Sequence, residues 1–119
     1  MSRDKGNYYE TIAKNHIIQL GGQVLLMNYH ALCGELDLII LDENEIAFVE
    51  VKYRKSNAFG GAINAVTKSK QSKIIKTAQH YLVKNKKYAK MPCRFDVLCI
   101  DGQLTIEWLK HAFVMSTNF

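Results

Sequence analysis

The stretch Glu45-Ile46-Ala47-Phe48-Val49-Glu50-Val51-Lys52-Tyr53 decides how this chain is read. It is apolar, β-branched and aromatic, which is the composition of a strand. Side chains two apart on a strand share a face. Phe48, Glu50 and Lys52 therefore line one face, and Val49 and Val51 the other. An acid and an amine thus meet on a strand suited to burial, where an unpaired charge is costly. Upstream, Gly34-Glu35-Leu36-Asp37-Leu38-Ile39-Ile40-Leu41 reads as a second strand with an acid near its start. Asp37, Glu50 and Lys52 on neighbouring strands have a clear chemical use. The carboxylates suit a hard divalent cation such as Mg²⁺. The lysine suits orienting or activating a water, or neutralising a phosphate oxygen. The plainer reading is a solvated acid-lysine pair on an exposed strand face.

The rest of the chain arranges itself around these two strands. Tyr9, Ile12, Ala13, His16, Ile17 and Leu20 recur at helical steps, which predicts a helix over Asp4 to Leu20. Gly21-Gly22 ends it. Gln23 to Tyr29 reads as the first strand, and Asp42-Glu43-Asn44 as a tight turn into the strand that opened this reading. A loop is expected at Ser56 to Gly61. Thr67 is an N-cap for a long helix in which Ile74, Ile75, Ala78, Tyr81 and Leu82 keep helical spacing to Lys84. Arg94 to Ile100 is a fourth strand, Asp101-Gly102 a hairpin signal, and Leu104 to Leu109 a fifth strand. The order αβββαββ predicts an α/β fold: a central mixed sheet of about five strands flanked by helices.

With 119 residues, 48% of them hydrophobic, the expectation is one domain spanning the chain, with a real core. Sixteen Lys and Arg against eleven Asp and Glu leave a net charge of +5. That balance favours a polyanionic partner, although an ordinary basic domain has it too. Cys33, Cys93 and Cys99 are odd in number and lack CxxC spacing, so no zinc cluster is expected. Asp4, Lys5, Glu10 and Lys14 interrupt any signal-peptide core, and no apolar run approaches the roughly 20 residues of a membrane span. The expected setting is the reducing cytoplasm, away from membranes.

The pattern of an acid, a gap, then acid-x-lysine resembles the core of the restriction-endonuclease-like nucleases. The chain resembles more closely the YraN-type bacterial family of predicted endonucleases, related to Holliday-junction resolvases. The resemblance runs through Lys5-Gly6 and Glu10, Gly34-Glu35-Leu36-Asp37-Leu38-Ile39, and Phe48-Val49-Glu50-Val51-Lys52. It continues through Ala65-Val66, Lys70-Gln71, Arg94-Phe95-Asp96-Val97 and His111-Ala112-Phe113. Asn28-Tyr29-His30 stands where the family often has an arginine before Gly-Glu, which weakens that basic contact. The glutamine-tyrosine helix motif of RecB-like nucleases is not cleanly matched.

The resemblance implies a catalytic set of Asp37, Glu50, Lys52 and Glu10. Asp37, Glu50 and the Val51 backbone carbonyl would ligate Mg²⁺ or Mn²⁺. Glu10 is either a further site carboxylate or a solvent-facing helix acid. Glu35 is either a second acid behind Asp37 or an edge charge that discourages aggregation. Lys68, Lys70, Lys73 and Lys76 crowd the start of the second helix, against its dipole. The resemblance puts Lys70 on the substrate side and Lys73 on a phosphate, and Arg54 and Lys68 extend the positive surface.

Two classes of function follow. One is a metal-dependent endonuclease for branched or otherwise structured DNA, with a homodimer if two strands are cut symmetrically. The other is a nucleic-acid-binding module, or a subunit that binds another DNA-processing protein, on the same fold. A pure binder gains nothing from carboxylates facing phosphate, whereas the small size leaves little chain for reading a target.

Overall fold

The computed structural model describes residues 2–55 and 64–114, with side chains from residue 7 onward. The loop expected at 56–61 and the side chains of Lys5-Gly6 lie outside the described residues. The elements are α1 (Ser2–Gln19), β1 (Gln23–Ala31), β2 (Gly34–Asp42), β3 (Glu45–Arg54), α2 (Lys68–Lys84), β4 (Cys93–Asp101) and β5 (Ile106–Phe113). A short 3₁₀ turn, Lys86–Tyr88, follows α2.

The five strands form one mixed sheet in sequence order, β1-β2-β3-β4-β5. Only β3 and β4 run parallel, from Ile46 beside Cys93 to Arg54 beside Asp101. Parallel neighbours need a long crossover, and α2 supplies it. The expected α/β fold, with its order αβββαββ, is what the chain adopts.

Each face of the sheet is covered by one helix. Ile46, Phe48, Phe95 and Val97 pack with Ile74, Ala78 and Tyr81 of α2. Leu38, Ile40, Ala47, Val49, Leu98 and Ile100 pack with Ala13 and Ile17 of α1. The split of Phe48 from Val49 is the alternation expected of β3. Strands buried on both faces read as near-continuous apolar runs, as β2 to β4 do.

Chain punctuation has local causes. After α1, Gly21 adopts φ 98°, Gly21 N–H donates to Ile18 O, and Gly22 N–H donates to Ile17 O. This is the Schellman pattern, in which glycine takes the left-handed position. Thr67 caps α2, its hydroxyl accepting from Lys70 N–H at 3.2 Å. Glu43 and Asn44 both have positive φ, the two-residue turn that matches strand twist.

The β4–β5 connection departs from the Asp101-Gly102 expectation. The strands are joined by Gly102 to Thr105, and Leu104 rather than Gly102 takes the left-handed conformation, φ 60°. Asp101 stabilises this longer turn by accepting from Gln103 N–H and Thr105 N–H, both at 2.9 Å. Strand β5 consequently starts later than Leu104 and runs past Leu109 to Phe113, through a bulge at His111, φ 55°. Leu20, placed on the apolar face of α1 by periodicity, is 61% exposed because the helix stops before it.

Candidate active site

The site forms where β2 stops behaving as a regular strand. The β1–β2 ladder skips the Asn28–Asp37 position, and Asn28 is left-handed there, φ 58°. The β2–β3 ladder ends at Leu38–Val49. Leu36 joins the α2-side core and Leu38 the α1-side core, although residues two apart on a regular strand share a face. Alternation therefore breaks at Asp37. The Val51 N–H, left without a ladder partner from β2, donates to Asp37 Oδ2 at 2.8 Å. The carboxylate completes a backbone bond that the departing strand no longer makes.

Glu50 lies on the adjacent strand, 5% exposed, with its carboxyl in the field of the Asp37 carboxyl. Two lysines face it. Lys52 Nζ is 3.9 Å from Glu50 Oε1, and Lys70 Nζ, reaching in from the first turn of α2, is 3.7 Å away. Burial, then the Asp37 charge, push the Glu50 pKa up to about 8 against the pull of both lysines. Asp37 is also raised, by burial, with the Val51 N–H, Lys70 and Lys52 offsetting part of it. Burial and mutual repulsion thus make the pair retain a proton more readily than free carboxyls do.

Glu10 approaches from α1. Its Oε1 is fully buried and has no hydrogen-bond partner among the described residues. Burial, then the Asp37 charge, raise its pKa, and a bond with Asn28 offsets part of this. An orphaned, buried carboxylate oxygen in the field of Asp37 is the electrostatic signature of a place for positive charge. The donors are hard oxygens, as Mg²⁺ or Mn²⁺ requires. The N–H and C=O of one strand residue point to the same edge, so the Val51 carbonyl is turned toward the Asp37 side. Among the described residues, no three His, Cys, Asp or Glu side chains close into a ready-made metal cage. Asp37, Glu50 and that carbonyl are the donors that fit, with water completing the shell.

The other expected residues are placed less centrally. Glu35 is turned to solvent, where it pairs with His30, its cross-strand neighbour, at 3.1 Å. Arg54 donates from Nη2 to Ala65 O at 2.9 Å and so fastens the segment that leads into α2. Lys68 and Lys73 are exposed on α2. Lys70, expected on the substrate side, is exposed at the start of α2 and also reaches the acid pair.

A second charged cluster lies at the other end of β3 and β4. Arg94, 3% exposed, donates to Asp96 at 3.0 Å, to Asp42 at 2.7 Å and to Glu45 at 3.0 Å. Asp96, fully buried, also accepts from Trp108 Nε1 at 2.9 Å and from the bulged His111 N–H at 3.1 Å. Lys110 closes the set on Asp42 and Glu43. The clue in the sequence is Arg94-Phe95-Asp96, opposite charges two apart in a buried strand, the same pattern as Glu50 and Lys52. Tyr9 stacking on Tyr53 at 4.7 Å, which ties α1 to the end of β3, carries no such sequence signal.

The fold and site define a mixed α/β domain with a buried acid pair and two lysines at the end of a central strand. The chain belongs to the family described as "Uncharacterised protein family UPF0102", which matches residues 9–100. It is similar to a UPF0102 protein of Saccharophagus degradans, 46% identical over 114 residues that cover 95% of each chain. It is 41% identical to one of Legionella pneumophila, covering 95% of this chain and 97% of that protein. It is 44% identical to one of Colwellia psychrerythraea, covering 94% and 90% respectively. Among the described residues, no helix is long and apolar enough to cross a membrane.

Proposed function

We propose that this protein is a divalent-metal-dependent endonuclease that hydrolyses phosphodiester bonds in structured or branched DNA. The supporting observation is the Asp37–Glu50 pair: two buried carboxylates held against their mutual repulsion, with Glu50 pushed up to about 8. Folded proteins place perturbed acids at working sites more often than elsewhere. The fold order and the acid-x-lysine strand add the resemblance to restriction-endonuclease-like nucleases and resolvases.

In this reading Asp37, Glu50 and the Val51 carbonyl hold Mg²⁺ or Mn²⁺. Bound there, the cation would supply Lewis-acid charge for a phosphate oxygen and lower the pKa of a water. Asp37 is fixed by its bond to Val51, so its free oxygen has a set direction. Lys52 lies beside Glu50 and is positioned to orient the water or offset charge on the scissile phosphate. Glu10 adds a third carboxylate at the edge of the site. Lys68 and Lys73 contact phosphates from α2 and set the salt dependence of binding. Cytoplasmic DNA, cut symmetrically by a homodimer, is the substrate setting this mechanism suits.

A second reading, a DNA-binding or partner-binding module without cleavage, is favoured by one observation. Among the described residues no three His, Cys, Asp or Glu side chains are grouped closely enough to hold a metal ion. A cleavage assay with Mg²⁺ or Mn²⁺ on linear duplex, flap, single-stranded and four-way-junction DNA separates the two. The nuclease reading expects cutting of a structured substrate, and failure on all four supports the binding module.

A further inference from the structure

We infer that Lys70 is a built-in counter-ion of the acid pair, which a divalent cation displaces and which then becomes available to DNA phosphate. The inference rests on the metal reading above and adds a coupling between the two ligands.

Lys70 sits in the first turn of α2, where the helix dipole disfavours a cation and no acid offsets it. Its backbone is fixed nonetheless, because Lys70 N–H is the donor to the Thr67 cap. Its ammonium lies 3.7 Å from Glu50 Oε1, slightly closer than Lys52 at 3.9 Å. The partners differ in freedom. Glu50 is 6% exposed at its side chain, whereas Lys70 is 45% exposed. The carboxylate is held in place and the lysine can swing away.

A lysine on one flexible stem and a divalent cation on the same carboxylate repel each other. Of the two lysines, Lys70 is the more exposed, 45% against 32% for Lys52, so binding the cation favours an outward arrangement of Lys70 first. There the ammonium joins Lys68 and Lys73 on the exposed N-terminal part of α2. Linkage makes the effect reciprocal: a phosphate that holds Lys70 outward strengthens cation binding by the same factor that the cation strengthens DNA binding.

The test measures Mn²⁺ affinity of the full chain by calorimetry, at pH 8.5 and without DNA, for the wild type, Lys70→Ala and Lys84→Ala. Lys84 lies in the last turn of the same helix, about 21 Å along its axis, so it controls for net charge. Lys70→Ala is expected to bind Mn²⁺ about tenfold tighter, with Lys84→Ala near wild type. In fluorescence-anisotropy titrations, Ca²⁺ should raise DNA affinity less in Lys70→Ala than in wild type. Unchanged or weaker Mn²⁺ binding by Lys70→Ala overturns the inference and leaves the metal site intact. No Mn²⁺ binding by the wild type overturns both.

Discussion

Val51 donates its backbone N–H to the Asp37 carboxylate over 2.8 Å, at the point where β2 parts from β3. The same side chain thus closes a structural gap and serves the proposed site. Asp37→Asn keeps an oxygen for Val51 but removes a repelling charge. It should melt at or above the wild-type temperature at pH 8.5, by thermal denaturation without metal. Asp37→Ala leaves the N–H unpaired and should lose about 1–3 kcal/mol relative to Asp37→Asn. Equal stability of the two variants would mean that the Val51 bond contributes nothing.

The raised carboxyl of Glu50 gives a pH dependence whose sign is fixed. Below the ordinary glutamate range both the folded and unfolded states hold the proton. Between that range and about 8 the folded state keeps it and the unfolded state has lost it, so stability falls as pH rises. Urea denaturation of metal-free protein should show this decline, and Glu50→Gln should flatten it. Mg²⁺ should stabilise more at pH 8.5 than at pH 6, because it competes with that proton. A decline that persists unchanged in Glu50→Gln would assign it to another group.

Arg94 makes the opposite kind of prediction. Its guanidinium neutralises Asp96 and Asp42 inside the fold. Burial pushes Asp42 up, yet its bonds to Lys110 and Arg94 outweigh this and hold it below the ordinary range. Arg94→Met leaves buried Asp96 without its cation, Asp42 keeping Lys110, and should cost about 3–5 kcal/mol by urea denaturation. A loss under about 1 kcal/mol would show that water or other cations already screen this cluster.

Much of this arrangement was legible in the sequence because burial and period agree there. Strands β2 and β3, the Glu43-Asn44 turn and the Thr67 cap follow from alternation and turn chemistry alone. The place of Asp37 beside Glu50 followed from strand adjacency. What stayed hidden depends on long-range partners. Periodicity cannot foresee that Asp37 interrupts its own strand, or that Lys70 reaches across from α2. Nor can it foresee that Glu35 finds His30. The length of β5 was missed because its bulge is held by a side chain fifteen residues away, Asp96.

The basic face of α2 should govern salt dependence. Lys68→Ala and Lys73→Ala should each weaken DNA binding, and each should reduce the log-log salt slope by about 0.9 if its ammonium meets a duplex phosphate. Binding titrations at several salt concentrations measure this. An unchanged slope in the double variant would move the DNA surface off this helix.

The central claim is that the Asp37–Glu50 pair cuts DNA and does not merely face it. Cleavage and binding of a four-way junction, measured side by side for wild type and Glu50→Ala with Mg²⁺, test it most directly. The account predicts that wild type cuts, that Glu50→Ala loses cleavage, and that its junction affinity is equal or tighter because a negative charge facing phosphate is gone. Cleavage by Glu50→Ala at the wild-type rate, or a wild type that binds the junction and never cuts it, would contradict the account.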